Sequence, residues 1–208
     1  MSTSQNEDLR AIREMMERSS RFLSLSGMSG IIAGLLAIAG AVVAWLFILN
    51  RGVEISDIYF EEISRGDAGI IRKLLVADAS VVLLAALASS IIFSGLKASK
   101  SGQPLWNRVT YRLLTDLFIP LAAGGFMSIV FLARGDSVYI VPAMLIFYGI
   151  ALVGVSRLTF GEVRYLGLLE IATGLGSLLL PGFELLFWAT GFGLLHIAYG
   201  IVIQRKYH

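Results

Sequence analysis

Residues 22–50, FLSLSGMSGIIAGLLAIAGAVVAWLFILN, contain no charged side chain. A helix needs about 20 mostly apolar residues to cross roughly 30 Å of hydrocarbon, so this stretch holds one crossing and a lead-in. Arg21 and Arg51 bracket it, and five further gaps between charges have the same character. Residues 74–96 contain only Asp78, 113–133 only Asp116, 137–156 no charge, 165–183 only Glu170, and 185–204 only the imidazole of His196. The expected fold class is therefore all-α: a polytopic membrane bundle of six transmembrane helices with an N-terminal amphipathic helix. The spans fall near 28–50, 72–96, 112–133, 138–157, 161–180 and 184–204. None of the gaps alternates apolar with polar residues, which argues against a membrane β-barrel.

The composition leads to the same place. Of 208 residues, 56% are hydrophobic and 15% charged, whereas a soluble domain carries about 25% charge. A soluble chain of this length leaves too much surface facing water to hide so much apolar area. The same figures exclude a disordered chain. With no Cys, there is no disulfide scaffold, Fe–S cluster, c-type haem attachment, thiol nucleophile or lipobox. Two His residues argue against a His-rich metal site, and no cofactor is expected.

Lys and Arg set the expected orientation. Arg10, Arg13, Arg18, Arg21, Lys97, Lys100, Arg108, Arg112, Arg157, Arg164, Arg205 and Lys206 fall on one side; Arg51, Arg65, Arg72, Lys73 and Arg134 fall on the other. Both termini are thus expected in the cytoplasm. The net charge of +2 gives no reason to invoke nucleic acid. The first apolar stretch is far longer than a signal-peptide core, so it is expected to remain as a span.

Two parts are expected: 1–26, a cytoplasmic amphipathic helix and hinge, and 27–208, the six-helix domain. Ser4 and Glu7 fit a capping box, and Leu9, Ile12, Met16 and Leu23 share one face over 4–23. Such a helix lies on the inner leaflet or meets a cytoplasmic protein partner. Residues 51–73 form the longest connection, with helical spacing at Ile55, Ile58, Tyr59 and Ile63. Its acids read as a solvated face rather than a divalent-cation site. Thr159 with Glu162 forms a second capping box at the start of span five, and Pro181–Gly182 makes spans five and six an antiparallel hairpin.

Gly30 and Gly34 form a GxxxG face continued by Ala33, Ala37 and Ala41. Small residues let helices approach closely in lipid. Two outcomes follow: a homo-oligomer through Gly30 and Gly34, or packing inside one bundle, the simpler of the two. Trp106, Tyr139 and Trp188 read as interfacial anchors. There is no phosphate loop, zincin motif or nucleophile elbow, and no internal repeat strong enough to claim an inverted-repeat transporter.

Function must then rest on polar residues inside the spans, which are costly there and usually have a partner or a task. Asp78, about 7 Å from the outer end, is expected to pair with Arg134 or to line an outward cavity. Asp116 stands one turn after Arg112, and Pro120 removes the hydrogen bond to its carbonyl. With Gly124 and Gly125 beyond, span three is expected to bend or break at this point. Glu170 and His196 are the deepest pair, about 16 and 21 Å from the Pro181–Gly182 turn. They are expected to meet, with Tyr199 adding a hydroxyl. The bland reading is an interhelical hydrogen bond; the functional one is a proton-labile site open to a cytoplasmic cavity.

The runs REMMERSSRFLSLSGMSG (13–30), TFGEVRYLGLLEIATGL (159–175) and GFGLLHIAYG (191–200) resemble an uncharacterised family of bacterial six-span inner-membrane proteins. The resemblance implies that topology and brings no activity, substrate or catalytic residue. On the residues themselves, a small transporter or channel using Glu170, His196, Asp116 and Asp78 leads. A signalling or assembly module acting through the N-terminal helix comes next. A membrane enzyme or haem protein comes last, because one buried His gives no bis-His haem and no nucleophile with a base is visible.

Overall fold

The computed structural model describes residues 26–49, 68–100 and 106–207. Every regular element among them is helical. Helix α1 is Gly27–Val43 continued by a π-helical segment, Ala44–Leu49. Helices α2 (Ala68–Lys100), α3 (Arg108–Arg134), α4 (Ile140–Val155) and α5 (Glu162–Leu179) follow. Helix α6 is built from Glu184–Trp188, a π-helical segment Ala189–Leu195, and His196–Tyr207. The expected N-terminal helix at 4–23 and the 51–67 part of the long connection lie outside the described residues.

Five helices are long and apolar enough to cross a membrane: Gly27–Leu46, Ile71–Lys100, Arg108–Arg134, Ser137–Leu158 and Glu184–Tyr207. The remaining one, α5, has 18 residues and carries Glu162, Arg164 and Glu170. The described chain is thus an all-helical, membrane-embedded bundle.

Connections stop the helices by local chemistry. Asn107 caps α3, its side chain accepting from the Thr110 N–H at 3.0 Å. Gly135, at φ 84°, ends α3 in a left-handed cap. There the Asp136 N–H reaches the Phe131 carbonyl at 2.9 Å. Gly182, at φ 93°, takes the third position of the turn closed by Phe183 N–H to Leu180 carbonyl at 3.4 Å. The capping box expected at Thr159 and Glu162 does not form. Thr159 Oγ1 donates back to the Val155 carbonyl, and Glu162 accepts from Lys206 and Tyr207. The lysine and phenol compete for that carboxylate, and α5 starts at Glu162 with Gly161 before it and no side-chain cap.

The helices pack in the order α2–α1–α6–α5–α4–α3, so α1 against α6 joins first to last, while α2 and α3 do not pack along each other. Two interfaces use glycine for close backbone approach. A Cβ on Gly149 of α4 would lie 2.5 Å from the Gly167 carbonyl of α5, and one on Gly167 would lie 2.7 Å from the Gly149 carbonyl. A Cβ on Gly34 of α1 would sit 2.6 Å from the Gly193 carbonyl of α6, and one on Gly30 3.2 Å from the Gly200 Cα. The Gly30–Gly34 face considered for homo-oligomers is therefore covered by α6 of the same chain. At the terminal end of the bundle, Leu113, Leu152, Val155, Phe160, Val163, Leu166 and Ile203 form the apolar core.

Helices α2 and α3 stand at the flanks. They pack chiefly on α1 and α4 respectively and expose apolar side chains such as Leu84, Phe118 and Phe126. At the far end, Arg72 Nη1 of α2 donates to the Leu132 carbonyl of α3 at 3.4 Å.

Candidate functional site

The α5–α6 hairpin brings Glu170 and His196 together in the bundle interior. On α5, the buried positions Val163, Leu166, Gly167, Glu170, Gly174 and Ser177 form one helical stripe. This places Glu170 in the core with 0% of its surface exposed. His196 is 8% exposed, and its Nδ1 lies 3.3 Å from Glu170 Oε1. The same Nδ1 is 3.1 Å from the Gly191 carbonyl, in the π-helical segment that immediately precedes His196. The other ring nitrogen, Nε2, is 2.8 Å from the Tyr148 hydroxyl of α4.

These distances define a network with two proton arrangements. In the first, Nδ1–H donates to the Gly191 carbonyl and Nε2 accepts from Tyr148 O–H. This leaves a neutral imidazole, the tautomer being assigned from the hydrogen-bond pattern. Both Glu170 oxygens then lack a hydrogen-bond donor among the described residues. Buried carboxyl oxygens without a donor are costly, so the imidazole is the polar neighbour on which this group depends. In the second arrangement the proton sits on His196, Nε2–H donates to the Tyr148 oxygen, and the imidazolium faces the Glu170 carboxylate at 3.3 Å. In both arrangements the carboxyl and the imidazole face each other at 3.3 Å with one labile proton between them.

Packing enforces this geometry. A Cβ on Gly191 would lie 2.7 Å from Glu170 Oε2 and overlap the Leu145 side chain. Only a hydrogen at this position lets the carboxylate rest against the α6 backbone. The rings of Tyr148 and His196 stack with centroids 5.4 Å apart. Phe192 and Trp188 extend this aromatic wall along α6. Trp188 packs on Phe192 at 4.7 Å.

The other predicted residues fall elsewhere. Tyr199 does not join the network: its hydroxyl is buried without a hydrogen-bond partner, and its ring packs on the apolar core and beside Gly30. Asp78 is half-buried on α2 and faces α1 next to Gly40. The expected Asp78–Arg134 ion pair is replaced by Arg134 with Asp136, 3.6 Å apart across the α3 cap and exposed. The cap turns Arg134 back toward its own loop. Asp116 is exposed on α3. Helix α3 continues as one α-helix through Pro120, Gly124 and Gly125, so the expected break there is absent. Gly124 is instead a packing position, occupied from outside by Phe147 of α4.

Sequence reasoning missed Tyr148 and Glu184. Tyr148 sits near the middle of a span rather than at an end, where its hydroxyl needs a buried partner, and that position was the available signal. Glu184 was taken as a span boundary but is 1% exposed. Among the described residues no group of three His, Asp or Glu could hold a metal ion.

No family model, curated protein or solved structure matches this chain. Fold and site define the class by themselves: a membrane-embedded helical bundle with a buried Glu–His–Tyr network on a π-helical bulge.

Proposed function

We propose that this protein is a six-span inner-membrane transporter or channel of small size whose labile proton resides on Glu170 and His196. Both termini face the cytoplasm in this reading. Support for the sixth span is α5 itself: 18 residues extend about 27 Å, and its Glu170 turns inward to a partner. Support for the orientation is the gathering of Lys97, Lys100, Arg108, Arg112, Arg157, Arg164, Arg205 and Lys206 toward one end, against Arg72, Lys73 and Arg134 at the other.

The single observation that carries the transport reading is the completely buried Glu170 carboxyl beside His196 Nδ1 at 3.3 Å. Acid–imidazole pairs inside a membrane suit proton relays. A π-helical bulge next to them fits a functional position, because such bulges leave backbone carbonyls open to side chains. The test is proton flux into liposomes holding the full-length protein and a pH-sensitive dye. Wild type should acidify or alkalinise the lumen along the imposed gradient, and Glu170→Gln should abolish this. Equal flux in the two proteins reduces Glu170 to an interhelical contact.

A further inference from the structure

The bundle is a row of helices whose two ends, α2 and α3, come together at their tips without packing along each other. At the far end, Arg72 of α2 donates to the Leu132 carbonyl of α3 at 3.4 Å. At the terminal end, Lys97 of α2 lies over the Phe160 ring, 5.4 Å from its centroid, and Phe160 packs in the same apolar core as Leu113 of α3. Arg72 and Lys97 are 25 residues apart, which is seven helical turns, so both project from one face of α2, about 37 Å from each other. The α2 face between them therefore looks across at α3. Leu83, three turns from Arg72 on this face, is exposed, and so is Phe118, four turns before Leu132 on α3.

A seam thus runs between the two flanking helices, and two small residues widen it. Ala79 is two turns from Arg72, and Gly125 is two turns from Leu132. The antiparallel helices bring them to one depth, about 10 Å from the Arg72 contact. Nothing lies within 4 Å of a Cβ built on Gly125. Atoms lining an empty gap lose their dispersion contacts, so hydrocarbon chains are drawn into it.

The terminal end of the seam is cationic. Lys100, Arg108 and Arg112 are exposed there and make no ion pair among the described residues. Against these three cations α3 sets one carboxylate, Asp116, a turn beyond Arg112 and likewise unpaired. The exposed rings of Trp106 and Tyr111, 6.0 Å apart, flank the arginines, as aromatic side chains do at headgroup level. Arg112 and Gly125 are 13 residues apart, about 20 Å along the helix. That is a little more than the roughly 15 Å of one leaflet's hydrocarbon, as a tilted helix requires. Charge selects the occupant. A second copy of the chain on this face would bring Arg108 and Arg112 toward their own counterparts across a two-fold axis, whereas a phosphate headgroup neutralises them.

We propose that the α2–α3 seam binds one anionic phospholipid, its phosphate held by Lys100, Arg108 and Arg112 and an acyl chain lying in the gap beside Ala79 and Gly125. This site stands apart from Glu170 and His196 and does not depend on their role.

The test is native mass spectrometry of the full-length protein, stripped of lipid in detergent and titrated with phosphatidylglycerol or with phosphatidylcholine carrying the same acyl chains. Wild type should retain one phosphatidylglycerol and prefer it over phosphatidylcholine by on the order of thirtyfold, about fivefold for each of two arginines. The double variant Arg108→Gln, Arg112→Gln should lose that preference. Gly125→Leu, which fills the gap, should weaken both lipids by on the order of tenfold, the effect of displacing about two methylenes of a chain, with an unchanged melting temperature. Inorganic phosphate should leave the bound lipid in place. Equal retention of the two lipids by wild type, displacement by inorganic phosphate, or phosphatidylglycerol binding unaltered in both variants overturns the site. A dimer that takes up lipid only on dissociating also overturns it, because a second copy then fills the seam.

Discussion

Helices α3 and α6 handle irregularity in opposite ways. Helix α3 carries Pro120 and the adjacent Gly124 and Gly125, yet it remains α-helical from Arg108 to Arg134 and turns Asp116 outward. Helix α6 has no proline, yet it winds into a π-helix over Ala189–Leu195 where His196 meets Glu170. A missing N–H at Pro120 frees one carbonyl without interrupting the α-helix, which packs on α4. In α6, the Gly191 carbonyl has a better use, as acceptor for the His196 imidazole at 3.1 Å. Backbone irregularity here follows the needs of a buried polar group, not the weakest residue in the chain.

The contrast is broken most severely at the glycines. Gly149 meets the α5 backbone, whereas nothing lies within 4 Å of a Cβ on Gly125 of α3. Gly149→Leu should therefore separate α4 from α5 and cost about 3 kcal/mol or more, beyond ordinary overpacking because backbone atoms must move. Gly125→Leu should fold as wild type does. Thermal unfolding in detergent, followed by circular dichroism, separates the two. Equal loss of stability would mean that α3 is as tightly held as the hairpin.

The next largest effect is expected at Glu170 and His196. A double-mutant cycle with Glu170→Gln and His196→Gln should give a coupling energy above the ~0.6 kcal/mol average for interhelical contacts in membranes. In the proposed reading one labile proton is shared, so removing either side chain deprives the other of its proton partner. Denaturant titration of the four proteins measures this. A coupling near zero would show the two side chains to be neighbours without an interaction.

Tyr148 sharpens the same point at smaller scale. Tyr148→Phe keeps the ring stack but deletes the 2.8 Å contact to His196 Nε2. The expected cost is about 1 kcal/mol, that of one hydrogen bond. Nitrogen-15 chemical shifts of His196 should show mixed tautomers in place of one. A single unchanged tautomer would mean that the Gly191 carbonyl alone fixes the ring.

These expectations also mark how much could be read from the chain. The helices were legible because long gaps between charges are visible in one dimension. Glu170 and His196 were legible because an ionisable group in such a gap stands out, and because the Pro181–Gly182 turn fixes their relative depth. Tyr148 was not, since a tyrosine among apolar residues looks like packing until its hydroxyl finds a partner. The π-helical segment ATGFGLL carries Gly191 and Gly193, but Gly124 and Gly125 leave α3 regular, so glycine alone does not mark it, and its contacts with α1 and α5 are not encoded in any local pattern. The GxxxG of α1 announced a close contact but not its partner, which the fold supplies as Gly193 and Gly200.

The smallest effect is expected at Asp116, and it is the most direct check on the contrast with α6. Its side chain is exposed on a flanking helix, one turn from Arg112 and two from the start of α3 at Arg108. That depth, about 12 Å from the helix start, lets the carboxylate reach toward the headgroups, so burial does not force a partner upon it. Asp116→Asn should change stability by no more than about 0.5 kcal/mol, as other surface substitutions do. Pro120→Ala should leave stability unchanged or raise it slightly, because it restores an N–H to the carbonyl of Asp116 in a helix that is already regular. Proton flux in liposomes should match wild type in both variants, while Glu170→Gln abolishes it. If Asp116→Asn stopped flux as completely as Glu170→Gln, a proton path would have to run along the outside of α3. The inward turn of Glu170 would then no longer distinguish the working helix from the flanking one.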